Sequence, residues 1–275
     1  MVKGKFQKRG VDYPIIDGER TLPGKYYHSK EIYQEEVDKI FYKFWIYACR
    51  EEEIESVGDY KLIQVEDESL ILVRDKSDTI KALFNVCRHR GTQLCDESTG
   101  NFKSKSIQCP YHAWTYGLDG KLLSAPLMQE GHGFKKEECA LHQANVHVWE
   151  GFVFINLDKH PVSFEEQMEA LIGKFSDWKM SELKIAYHIK YELNCNWKLI
   201  LQNYQECYHC PGVHPLLSEL TPVQSAQHDA SSGAVIGGFM DLLKERGSMT
   251  MDGKAAAPPI CNVKGENLQR IYYYS

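Results

Sequence analysis

The reading turns on two short stretches, CRHRGTQLC at residues 87–95 and CPYHAWTYG at residues 109–117. Each brings one thiol and one imidazole close together: Cys87 with His89, and Cys109 with His112. Cys87 and His89 lie two residues apart, so on an extended loop end they point the same way. Cys109-Pro110-Tyr111-His112 reads as a tight turn that can bring its two ligands round one site. Two thiolates and two imidazoles suit a tetrahedral Cys2His2 zinc. They equally suit a 2Fe–2S cluster in which two Cys hold one iron and two His hold the other. Zinc modules more often pair Cys with Cys on one turn and His with His on another. The glycines of these loops, Gly91 and Gly117, let backbone N–H groups approach cluster sulfurs.

Outward from these loops, short alternating runs extend from about residue 46 to 156, among them DYKLIQVED, SLILVRD, IKALFNVC, SIQCP, NVHVWEG and FVFINLD. Turn residues separate them, including Gly58-Asp59 and Asp119-Gly120. This pattern predicts an antiparallel β domain over 46–156, with the four ligand candidates on loops at strand ends.

On either side the pattern turns helical. SKEIYQEEVDKIFYKFWIY (29–47) spaces its apolar residues as a helix does, with Ser29 as its cap, in an N-terminal segment 1–45. After His160-Pro161, SFEEQMEALIGKFSDW reads as a helix capped at Ser163, with Glu166 three residues on. KIAYHIKYELN (184–194) alternates like a strand. NWKLILQNYQECYHC (196–210) reads as a helix ending near Pro211-Gly212. Residues 225–265 read as loop, and LQRIYYYS (268–275) as a strand.

The chain of 275 residues, 43% hydrophobic and 25% charged, is long enough to bury a sizeable core. A net charge of -6 argues against a nucleic-acid surface. No apolar run reaches the roughly 20 residues of a membrane helix, and MVKGKFQKRGVDYP is no secretory signal. Nine cysteines, several beside histidines, predict a reducing cytoplasm with some thiols as metal ligands. Cys95 is expected to be a buried thiol.

C-x-H-R-G followed by C-P-Y-H-x-W resembles the Rieske iron–sulfur domain of non-haem iron oxygenases. The resemblance implies a 2Fe–2S cluster on Cys87, His89, Cys109 and His112 that carries one electron, with the imidazoles on the iron nearest solvent. Respiratory Rieske proteins carry a further Cys in each loop and bridge them. Thr92 and Tyr111 stand at those places here, which implies the oxygenase type.

NYQECYHCPGVHP places Glu206, His209 and His214 together. Five residues turn an ideal helix by roughly 500°, leaving the two His about 140° apart, unless Pro211 and Gly212 break the helix and let the rings converge. Alone, such a pair is two ordinary histidines at a helix end. Glu206 and His209, three apart, are expected to project from one helical face. The stretch NWK…NYQECYH…H resembles the mononuclear iron site of the same oxygenases. That implies His209 and His214 as Fe(II) ligands, Glu206 as a carboxylate linking a Rieske His of a neighbouring subunit to an iron-ligand His, and Asn203 lining the site. Glu at that bridge is spelled most like the glycine betaine, choline and carnitine monooxygenase branch. Aromatic-ring-hydroxylating dioxygenases are the alternative, and a remnant carrying electrons on its Rieske centre alone is another.

The fold class so implied is α+β: the antiparallel β domain, then an incomplete helix-grip, START-like catalytic domain over 157–275. The family's third iron ligand is an Asp on a late helix, expected beyond Ser275, because Asp229, Asp241 and Glu245 come too early. The chain is therefore expected to be a C-terminal truncation whose cluster assembles while its iron site is impaired. The resemblance also implies O2 and a small organic substrate, a separate reductase bringing electrons from NAD(P)H, and a homotrimer at full length.

Overall fold

A computed structural model describes residues 5–8, 11–14, 21–128, 133–230, 233–243, 245, 247–260 and 262–275. Near the start lie a two-stranded antiparallel sheet, β1 (Lys5–Lys8) and β2 (Val11–Pro14), and two helices, α1 (Lys25–His28) and α2 (Lys30–Glu36). Ser29 caps α2 by accepting the Ile32 N–H, as expected. The helix read over 29–47 is shorter. Val37–Phe41 forms a wider turn, in which the Tyr42 N–H donates to the Val37 carbonyl, and the chain then leaves as β3 (Ile46–Arg50). Ile46 and Tyr47 thus serve a sheet rather than a helix.

The central element is a seven-stranded sheet. Its strands are β3, β4 (Asp59–Val65), β5 (Glu68–Arg74), β6 (Ile80–Phe84), β7 (Thr99–Asn101), β11 (Gln143–Trp149) and β12 (Phe152–Asn156). They lie in the order β3-β12-β11-β6-β5-β4-β7, with antiparallel pairings. β5 shows why the sequence reads as a strand. Leu70 and Leu72 join the core with Val153 and Ile155, while Ile71 and Val73 join the core with Leu83, Ile107 and Tyr116. Period-two alternation sends neighbouring side chains to opposite faces, and here both faces are covered. Each of these fully buried aliphatic chains contributes about 1.5–3 kcal/mol. A smaller sheet, β8 (Ser106–Gln108), β9 (Thr115–Gly117) and β10 (Leu122–Ser124), in the order β10-β9-β8, carries the second Cys-His loop.

Beyond 157 the sequence reading needs more correction. Ser163 does cap a helix, accepting the Glu166 N–H, but α3 runs only from Phe164 to Gln167. Turns follow, with Gly173 at φ +76°. Residues 184–194 form neither strand nor helix despite their alternation, because no other described segment pairs with them. The helix read over 196–210 ends early, as α4 (Trp197–Gln205), and two short helices follow it, α5 (Cys210–Val213) and α6 (Pro215–Leu220). Pro211 and Pro215 stand at the starts of helices, where a missing N–H is harmless, rather than ending one.

The stretch 225–265 holds two strands that the sequence reading missed, β13 (Gln227–Ala230) and β14 (Gly237–Asp241). With β15 (Arg270–Tyr274), the strand expected at 268–275, they form a sheet ordered β13-β14-β15. Gly237 and Gly238 look like loop residues but are required by the sheet. A Cβ would lie 2.1 Å from the Tyr273 carbonyl oxygen at Gly237 and 1.8 Å from the Gln227 carbonyl oxygen at Gly238.

Three contacts tie the parts together. The Gln167 side chain clasps the backbone of Trp45, accepting its N–H at 2.8 Å and donating to its carbonyl at 3.1 Å. The buried Arg50 guanidinium donates to the carbonyls of Glu150, Met180 and Leu183. Trp197 Nε1 and Lys198 Nζ both donate to the Glu36 carboxylate, fixing α4 against α2.

Candidate metal centres

The two Cys-His loops share one construction. The Cys87 N–H donates to the Thr92 carbonyl at 2.8 Å, and the Cys87 carbonyl accepts the Gly91 N–H at 3.0 Å. Likewise the Cys109 N–H donates to the Trp114 carbonyl at 2.8 Å, and its carbonyl accepts the Ala113 N–H at 3.1 Å. Each loop closes through a residue with positive φ, Gly91 at +72° and Ala113 at +56°. Ala113 adopts the left-handed region without the freedom of glycine, an arrangement that the bonds of its loop hold in place.

The result is two pairs at two depths. Both cysteines are 3% exposed, inside the core that contains Trp114 and Tyr116. The imidazoles lie outside them, with the Nδ1 atoms of His89 and His112 3.2 Å apart. The His89 ring stacks on Trp114 with centroids 4.8 Å apart, and His112 rests against Tyr111 at 3.7 Å. Burial, with His112 and Arg90 adding to it, holds His89 below the usual imidazole range. Burial likewise pushes the Cys87 thiol up, against the opposing effect of the Tyr116 hydroxyl.

Two supporting residues escaped the sequence reading. Tyr116, fully buried on β9, places its hydroxyl 3.2 Å from Cys87 Sγ while accepting the Arg88 N–H at 3.1 Å. Asn85 accepts the N–H groups of Leu94 and Cys95 and donates to the Cys95 carbonyl, pinning the far end of the first loop. Both stand close to the quoted loops, Tyr116 on β9 and Asn85 just past the end of β6, but nothing in the sequence says that their polar atoms face inward. Cys95 is half-buried rather than buried.

At the second site the chain leaves α4 at Glu206, whose φ of -119° and ψ of 118° are extended. The shared helical face expected for Glu206 and His209 is therefore absent. A turn brings them together instead, with Glu206 Oε2 3.7 Å from His209 Nδ1. The rings of His209 and His214 converge, with centroids 5.2 Å apart at 74°. Asn203 is exposed on α4, one turn before Glu206. The three early carboxylates are placed elsewhere: Asp229 on Lys174, Asp241 on Arg270, and Glu245 exposed. Among the described residues no three His, Cys, Asp or Glu side chains gather round one ion position, so the donors of both sites come in twos.

A buried dithiol with paired imidazoles outside it, followed later in the chain by a short-helix segment that presents two further imidazoles, fits an iron–sulfur domain joined to a second, metal-binding domain. The family models agree: residues 44–149 match the Rieske [2Fe-2S] domain, and residues 180–275 match the catalytic domain of the ring hydroxylating alpha subunit. The chain belongs to the Rieske oxygenase alpha subunits, whose two domains imply a 2Fe–2S cluster and a mononuclear iron. It is similar to the carnitine monooxygenase oxygenase subunit of Escherichia coli K12, with 35% identity over 76% of this chain and 56% of that one. It is also similar to the glycine betaine monooxygenase oxygenase subunit of Chromohalobacter salexigens, with 36% identity over 73% of this chain and 44% of that one. The quaternary ammonium Rieske monooxygenase CntA superposes with a TM-score of 0.75 at 32% identity, over 82% of this chain and 62% of that one. The chain thus spans about half the length of the curated relatives it matches.

Proposed function

We propose that this chain is the oxygenase component of a monooxygenase acting on a small quaternary ammonium compound, in a reducing cytoplasm and fed by a separate reductase. Cys87 and Cys109 would hold the inner iron of the cluster, and His89 and His112 the outer one. His209 and His214 would hold Fe(II). When bound, the cluster supplies one-electron transfer and the Fe(II) supplies activation of O2, so that an N-methyl group is hydroxylated and lost.

The arrangement of the donors supports this reading. The thiols are sealed from water, which keeps a sulfur-bound iron from solvent, while the imidazoles face outward, where an electron must leave. A single zinc would need four donors converging on one point, whereas a cluster takes its protein donors two per iron. Tyr116 and the Arg88 backbone hold the Cys87 sulfur in place. At the second site the Glu206 carboxylate lies 3.7 Å from His209 Nδ1, next to the ring nitrogen that a metal on Nε2 would leave unused. Glu206 remains half-exposed, free to meet a partner as well. That fits a homotrimer in which one subunit's cluster serves the next subunit's iron, and CntA is itself described with inter-subunit electron transfer.

The observation that carries the reading is the paired burial, Cys87 with Cys109 inside and His89 with His112 outside. Its test is anaerobic purification followed by iron and acid-labile sulfide analysis, then turnover of carnitine and glycine betaine with a ferredoxin-type reductase. Cluster colour with formaldehyde release supports it. Colourless protein holding one zinc would end it, and coloured protein that oxidises only an aromatic acid would move it to the dioxygenase branch.

A further inference from the structure

Between Glu206 and Pro211 lie two thiols that the iron reading leaves idle. Cys207 and Cys210 form a C-x-x-C pair, and neither is in a disulfide. The Cys210 N–H donates to the Cys207 carbonyl at 3.0 Å, closing a turn that draws residues three apart together. The Cys207 thiol reaches across to β14 and meets Met240 Sδ at 3.5 Å. Cys210 and Met240 are buried, at 4% and 5% exposure, and Cys207 is half-buried. The Cys207 sulfur thus touches Met240 from one side and interacts with the Cys210 thiol across the turn that carries His209, and Cys207 itself is partly open to solvent.

We propose that Cys207, Cys210 and Met240 form a binding site for one soft, thiophilic monovalent cation, with Cu(I) as its biological form. Thiolate and thioether donors select such ions, and two thiolates with one thioether suit three-coordination. Hard cations require oxygen ligands, which this cluster does not offer. On binding, each thiol releases its proton to solvent and forms an S–Cu bond, and Met240 adds a sulfur lone pair. The copper stays in the monovalent state, and the site carries one net negative charge. Because the two thiols flank Tyr208 and His209, an ion bridging them clamps the turn that presents His209.

The test uses the full chain with its cluster loaded, kept reduced and anaerobic, and titrated with Cu(I) against a chromophoric Cu(I) chelator. One Cu(I) per chain beyond that taken by the doubly substituted Cys207→Ser, Cys210→Ser chain is expected, and Met240→Leu should weaken binding by about tenfold. The visible spectrum of the cluster reports that each variant has folded. X-ray absorption of the copper should show a sulfur-only shell. Undiminished uptake by the double variant, unchanged affinity in Met240→Leu, nitrogen in the copper shell, or loss of cluster colour in step with copper uptake would each overturn the assignment.

Discussion

The two candidate metal centres stand in opposite kinds of surroundings. Around Cys87 and Cys109 every strand has a neighbour on the sheet, and the loops are closed by backbone bonds to the same short segment. Around His209 and His214 the elements are short, α4 buries none of its residues, and Tyr208 and Val213 beside the two histidines are 89% and 64% exposed. The first site is built by residues close in sequence inside one finished core. The second presents its donors on turns whose apolar neighbours are left open. A metal site inherits the rigidity of its support, so the two should differ in how tightly they hold what they bind.

The largest effect should come from breaking the rigid site directly. Cys109→Ser removes one of two buried thiolates and should abolish the visible absorbance of the cluster in essentially every chain, leaving acid-labile sulfide near zero. A coloured Cys109→Ser protein would mean that the cluster lies elsewhere. Next comes metal removal. Dialysis against EDTA should strip iron from the proposed His209–His214 site while the cluster absorbance persists, read by iron analysis beside the visible spectrum. Iron leaving both sites at one rate would erase the contrast.

Tyr116→Phe sharpens the comparison within the rigid site. It leaves the part-buried Arg88 N–H without its acceptor, which costs about 1 kcal/mol. It also removes a hydrogen-bond donor from the Cys87 sulfur. Hydrogen bonds to cluster sulfurs stabilise the reduced, more negative state, so the midpoint potential should fall. Denaturant unfolding and a redox titration check the two effects separately. Lost stability with an unchanged potential would show that the hydroxyl serves only the backbone.

The same contrast explains how much could be read from the sequence. In the first half, tight loops and two-faced strands leave local marks: Cys-x-His, Cys-Pro-Tyr-His and the alternation of Ser-Leu-Ile-Leu-Val all survive into the structure. In the second half, local marks compete with distant partners. Lys184–Asn194 alternates, but a strand needs a neighbour, and none of the described segments supplies one. Gly237 and Gly238 looked like loop because the carbonyls crowding them belong to residues 227 and 273. Pro211 looked like a terminator because a proline that ends one helix and a proline that begins the next have the same spelling. The metal-ligand candidates needed only local spacing to be found. Tyr116 and Asn85, which support them, needed the third dimension.

The smallest expected effect probes what holds the weaker half together. Burial pushes the Asp229 carboxyl up, but the Lys174 ammonium and the Tyr274 hydroxyl outweigh it and hold it below the usual carboxylate range. A carboxyl whose folded-state pKa is depressed stabilises the fold at pH values above its unfolded pKa, about 3.9, and the contribution is lost as pH falls through the folded value. Asp229→Asn should therefore destabilise the chain by about 1 kcal/mol at neutral pH, a modest figure because the pair is partly hydrated. The difference between the two proteins should close below about pH 4, as the parent carboxyl takes up its proton. Urea unfolding across that range, followed by the fluorescence of Trp178 beside Tyr272, reads the β13-β14-β15 sheet. A gap that stays constant down to pH 2 would mean that Asp229 contributes through the shape of its hydrogen bonds rather than its charge. The sheet would then owe its cohesion to the close approach at Gly237 and Gly238 rather than to the ion pair at its edge.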